Sequence, residues 1–174
     1  MKQAALIALL LCSPLVYADI DNIEKINDIS ALQQNDSQLL SSGLPSESQF
    51  TQLKQTGVDV VINLMPDNNK GAHQDEAKWV TQAGMEYVYI PVDWQNPQLT
   101  DVETFFKAMD AHAGQDILVH CFANYRASAF VYLYQLKQGK KPNMAQTMAP
   151  WGDELARYPQ WQVLLNEVRT KYKF

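Results

Sequence analysis

Short apolar runs alternate along this chain with stretches whose apolar positions recur at helical spacing. Three runs read as strands. VDVVINL at 58–64 is β-branched and continuously apolar, as a strand covered on both faces requires. MEYVYIPV at 85–92 alternates and ends near Pro91, and DILVH at 116–120 is short and apolar. Between them lie helix signals. Ser46-Glu47-Ser48-Gln49 is a capping box opening a helix that carries Phe50 and Leu53 and closes at Gly57. A second helix runs to about Ala83 before Gly84, and a second capping box, Thr100-Asp101-Val102-Glu103, opens a third through about His112. From 126 to 138, Phe130, Val131, Leu133, Tyr134 and Leu136 mark a buried helix. Trp151, Trp161, Leu164, Leu165 and Val168 predict one or two helices over an edge of the sheet. Residues 19–38 are polar and weakly patterned, an arm with one helical turn. This order predicts an α/β fold: a central, mostly parallel sheet of four or five strands with helices on both faces.

Composition narrows the setting. At 174 residues and 47% hydrophobic, the chain suits one domain with its own core. Lys2 precedes an apolar run at 4–16, and Val16-Tyr17-Ala18 has the form of a cleavage site. Residues 1–18 therefore read as a secretory signal peptide, too short for a stable anchor, and 19–174 as the mature domain, expected outside the cytoplasm and in the periplasm of a bacterium. The net charge of −5, with no basic stretch, argues against nucleic acid and anionic membrane as partners. Two cysteines exclude a disulfide scaffold, and scattered His73, His112 and His120 give no zinc-site spacing. Cleavage would remove Cys12 and leave one thiol, Cys121.

That thiol sits in the informative segment, Ile117 through Ser128, which reads strand, short loop, helix. Free backbone N–H groups and the helix dipole make such a junction an anion site. The same field favours the thiolate of a cysteine placed at its start. An arginine at its end offers a planar fork to two oxygens of a tetrahedral anion. Cys121 and Arg126 are thus a candidate nucleophile and oxyanion clamp, with Phe122, Ala123, Asn124 and Tyr125 completing the anion loop. His120 either supports the thiolate or is a satisfied core histidine.

His-Cys, a short loop, Arg and a hydroxyl residue resemble the cysteine-dependent protein tyrosine phosphatases, especially their compact dual-specificity-like bacterial branch. Leu40-Ser41-Ser42-Gly43-Leu44-Pro45-Ser46, 57–64 and Tyr89-Ile90-Pro91-Val92-Asp93 extend the likeness, which covers roughly 39–136. The family pattern has five residues between Cys and Arg, usually with a glycine. Here there are four and no glycine, so Arg126 stands one position early relative to Ser128. Asn124 is the best substitute for the positive φ that a glycine would supply.

The resemblance implies a phosphatase that needs no metal or cofactor and acts on a phosphorylated small molecule or phosphoprotein. Cys121 would attack phosphorus, Arg126 would hold the oxygens and Ser128 would hydrogen-bond the thiolate. Asp93, 28 positions before Cys121 at a strand end, is the expected general acid, with Asp101 and Asp67 as alternatives. Trp94 could pack on the loop or on a substrate ring. A rhodanese-like sulfurtransferase using Cys121 as persulfide carrier, or an inactive binding module, are the competing readings.

Overall fold

The computed structural model describes residues 20–26 and 28–174, so the segment read as a signal peptide lies outside the described residues. Among these, five strands form one sheet in the order β1 (Gln33–Asp36), β2 (Leu39–Ser42), β5 (Ile117–His120), β3 (Val60–Asn63), β4 (Glu86–Tyr89). β1 and β2 form an antiparallel hairpin; every other pairing is parallel. The helices are α1 (Glu47–Gln55), α2 (Glu76–Gln82), α3 (Leu99–Ala111), α4 (Tyr125–Lys137), α5 (Met144–Thr147) and α6 (Pro159–Tyr172).

The apolar run of β3 is explained by burial on both sides. Val60 and Ile62 face a core shared with Phe105, Phe130 and Trp161. Val61 faces a second core with Phe50, Leu53, Val80 and Leu118. β5 lies at the centre of the sheet, between β2 and β3, which reach it from opposite sides. Its carboxyl end is therefore the crevice where open α/β sheets bind ligands.

The first box caps α1 as expected: Gln49 Oε1 accepts from Ser46 N at 2.8 Å, and Gly57 takes φ +107° after the helix. The second box is displaced. α3 begins at Leu99, and it is Asp101 Oδ2 that accepts from Gln98 N (2.9 Å), leaving Thr100 inside the helix. The register moved because Gln98 and Asp101 are also three apart, and Pro97 fixes the chain just ahead of them. The arm is also more structured than its polarity suggests. It holds a 3₁₀ turn, Ile23–Ile26, and then the whole of β1. β1 escapes sequence patterning because it is an edge strand of Gln, Gln, Asn and Asp, and β2 because two of its four buried residues are serine.

Candidate active site

β5 ends at His120, and the chain turns through Cys121–Asn124 into α4. The turn is fixed from both sides. Cys121 N donates to Ser42 O (3.3 Å), Leu44 N donates to Phe122 O (3.1 Å), and Gly43 bridges Ala123. A Cβ on Gly43 would lie 3.0 Å from both Phe122 O and Ser30 O, so a side chain there would have to push these two carbonyls back by a few tenths of an ångström. Asn124 adopts φ +61°, the left-handed conformation that the glycine-free loop requires. Its carboxamide Nδ2 lies 2.7 Å from Ala31 O, 3.1 Å from Gln33 Oε1 and 3.2 Å from Ser41 Oγ. The side chain is thus turned into the hairpin and does not line the cleft. Any part of Asn124 in anion binding belongs to its backbone.

An open cleft of about 280 Å³ sits over this turn, lined by Asn69, Trp94, Cys121, Phe122, Ala123, Tyr125 and Arg126. Cys121 lies at its floor, 1% exposed. Phe122 stands at the mouth, 54% exposed, its ring so close to Gly71 that a Cβ there would come within 2.7 Å of it. Arg126 is buried, and its Nε donates to Val92 O at 2.9 Å. The guanidinium carbon lies 5.2 Å from the centre of the Trp94 ring, and Arg126 shares the cleft lining with Cys121, close enough for the two groups to interact electrostatically. Burial pulls the Arg126 pKa below the ordinary arginine value, while the charges of Cys121 and Asp93 oppose that pull. The early position of Arg126 in the sequence is therefore no obstacle to its meeting Cys121.

Asp93 follows Val92 directly and is exposed, its Oδ1 accepting from Gln95 N (2.8 Å). It lies within electrostatic range of both Arg126 and Asp101. Burial, and after it the charge of Asp93, raise the Asp101 carboxyl above the usual carboxylate value, against the hydrogen bond from Gln98. Asp67 goes elsewhere: it is exposed, its amide donates to Tyr89 Oη (2.8 Å), and it does not line the cleft. Ser128, which the resemblance would have hydrogen-bond the thiolate, spends its hydroxyl proton on the backbone. Its buried hydroxyl donates to Tyr125 O (3.2 Å), one turn back in α4.

Trp94 packs on the tail as well as on the loop. Its ring centre lies 6.0 Å from Tyr125, 5.5 Å from Trp151, 4.8 Å from Tyr158 and 5.2 Å from Trp161. Trp151 Nε1 donates to Tyr125 O (2.9 Å), which ties the tail to the first turn of α4.

His120 is fully buried against Phe50 and is held by a residue that sequence patterning missed: its Nε2 lies 3.0 Å from Oε1 of Glu76, itself 1% exposed. An acid in the first turn of a helix is ordinary on a solvated surface, so nothing in the sequence marked Glu76. Among the described residues no cluster of His, Cys, Asp and Glu could hold a metal ion.

A family model, Tc-R-P, described as "Polymorphic toxin system, DSP-PTPase phosphatase", matches residues 38–140. No curated protein matches the chain. Among solved structures, a Shewanella putrefaciens CN-32 protein described as a candidate phosphatase (DUF442) is 71% identical, with TM-score 0.83, over 88% of this chain and 98% of that one. Pseudomonas aeruginosa TpbA, solved with pTyr, shares the fold at TM-score 0.63 and 17% identity over 92% of this chain and 99% of its own. PTPMT1, solved with PI(5)P, does so at 0.64 and 19% over 82% and 96%.

Proposed function

The chain belongs to the DSP-PTPase phosphatase family, and from that membership we propose that it hydrolyses phosphate monoesters through a cysteinyl-phosphate on Cys121. The observation that carries this reading is the meeting of the Cys121 thiol and the Arg126 guanidinium in one cleft, at the N-terminus of α4. The thiolate attacks phosphorus, forming the S–P bond as the ester P–O bond breaks. Backbone amides of the loop and the terminal nitrogens of Arg126 hold the non-bridging oxygens. Asp93 gives its proton to the leaving oxygen. Water then attacks phosphorus and returns a proton to Asp93. The S–P bond breaks, and inorganic phosphate leaves the regenerated thiolate.

The aromatic walls Trp94, Phe122 and Tyr125 suit a ring beside the phosphate, so phosphotyrosine is the preferred substrate of this reading. The pTyr bound to TpbA and the PI(5)P bound to PTPMT1 name two substrates for direct comparison. In the same reading residues 1–18 direct export, and a mature N-terminus at Asp19 checks that.

The test is hydrolysis of para-nitrophenyl phosphate with EDTA and fresh reductant. Cys121→Ser should abolish turnover, and Arg126→Ala should lower it by about 100-fold or more. Asp93→Asn should slow substrates with poor leaving groups more than nitrophenyl phosphate. No turnover by the folded wild-type protein would overturn the reading, and thiosulfate-to-cyanide transfer would then be assayed for the sulfurtransferase.

A further inference from the structure

Glu76 is a buried carboxylate that the proposed chemistry does not use. Its Oε1 takes two hydrogen bonds, from Asn63 Nδ2 (2.8 Å) and from His120 Nε2 (3.0 Å). Because the amide nitrogen of Asn63 can only donate, Oε1 is an acceptor there, and the short contact to His120 places that ring's proton on Nε2. The second oxygen, Oε2, is buried and has no hydrogen-bond partner among the described residues, and the same holds for His120 Nδ1. A carboxylate buried with half its acceptor capacity unused is a costly way to stabilise a core.

The two donors explain what Glu76 does there. Asn63 and His120 are register partners, the last residues of the adjacent parallel strands β3 and β5. Each leads to one half of the candidate site. His120 is followed directly by Cys121. Asn63 is followed by Leu64, whose carbonyl accepts from Val92 N (3.2 Å), and Val92 O in turn anchors Arg126 Nε (2.9 Å). Asn63 Oδ1 also accepts from Met65 N (2.7 Å), which fixes the chain leaving β3. Tyr87 of β4 lies on the same network, 3.0 Å from Asn63 Nδ2, its pKa raised by burial and by the charge of Glu76.

We infer that Glu76 is a positioning residue whose single oxygen ties the ends of β3 and β5 together and so sets the nucleophile Cys121 against the arginine clamp. The inference rests on the phosphatase reading above for its catalytic consequence. It predicts that an oxygen acceptor at this point matters more than the negative charge.

The experiment compares Glu76→Gln, Glu76→Ala and Asn63→Ala in the full chain. Three readouts are taken: kcat and KM on para-nitrophenyl phosphate, the inhibition constant of inorganic phosphate, and the rate of iodoacetamide alkylation at Cys121 followed by peptide mass. Glu76→Gln keeps an Oε1 that both donors reach, and should stay within about threefold of wild type in all three. Glu76→Ala and Asn63→Ala should lose about tenfold or more in kcat, with weaker phosphate inhibition and a changed alkylation rate, as misplacement of reacting groups produces. If alanine variants lower only the melting temperature, Glu76 is a core residue and the inference fails. It fails equally if Glu76→Gln is as impaired as Asn63→Ala, a comparison that stands even where Glu76→Ala does not fold. A wild type that hydrolyses nothing would count against the phosphatase reading alone, because alkylation still reports on the bridge.

Discussion

Asn124 occupies a conformation that costs an ordinary L-residue on the order of 1 kcal/mol or more, and its three carboxamide contacts with the arm and hairpin hold it there. Two substitutions separate these effects. Asn124→Gly relieves the backbone and loses the contacts, whereas Asn124→Ala loses the contacts and keeps the strain. Urea unfolding should show the alanine variant less stable by about 1–3 kcal/mol and the glycine variant clearly less affected. Equal losses would mean that the contacts alone matter. The need for such a residue was legible from composition, since a tight anion loop without glycine leaves asparagine as the next residue able to enter the left-handed region. The direction of its side chain was not legible. That depends on Ala31, Gln33 and Ser41, which lie more than 80 positions away in the chain.

Helices and strand ends carry the next level. Sequence patterning found β3, β4 and β5 and the helices α1 to α4 and α6, whose apolar runs, alternation, helical periodicity or capping signals stand out along the chain. Those it missed bury polar residues or present an edge. β1 is polar because it lies at the rim of the sheet, and two of the four residues of β2 are serines buried beside β5. Cys121 and Arg126 were legible because they lie on one local loop, but the partner of His120 comes from a helix 44 positions earlier. At the far end of the sheet, His112 closes α3 and joins Glu86 of β4 at 3.0 Å. Burial pulls the His112 pKa down, but hydrogen bonds to Ala108 O and Glu86 outweigh it, and the net shift is upward from 6.5. A raised folded-state value means the pair stabilises fully below about pH 6.5 and loses that contribution as pH rises through the folded value. Glu86 is well exposed, so the effect should be at most about 1 kcal/mol. Urea midpoints measured from pH 5 to 9 should fall with rising pH more in wild type than in His112→Gln. A difference independent of pH would remove the ion pair from the account.

Across the whole molecule, the cleft is held between the two ends of the described chain. The arm reaches it through Ser30 and Ala31, which receive hydrogen bonds from Gly43 N and Asn124 Nδ2. The tail reaches it through Trp151, Tyr158 and Trp161, gathered on Trp94. Arg126 stands where these supports converge, its Nε tied to Val92 O and its guanidinium laid over the Trp94 ring. A free arginine side chain loses up to about 2 kcal/mol of rotational freedom when it is fixed on a ligand. Here most of that freedom is surrendered during folding, so an arriving phosphate need not supply it. In calorimetry of inorganic phosphate binding, Trp94→Ala should therefore weaken affinity mainly through a more unfavourable entropy, with Trp94→Phe closer to wild type. In the proposed reaction, the aromatic cluster of the tail would act, in this sense, as a store of order for Arg126, reaching it through Trp94.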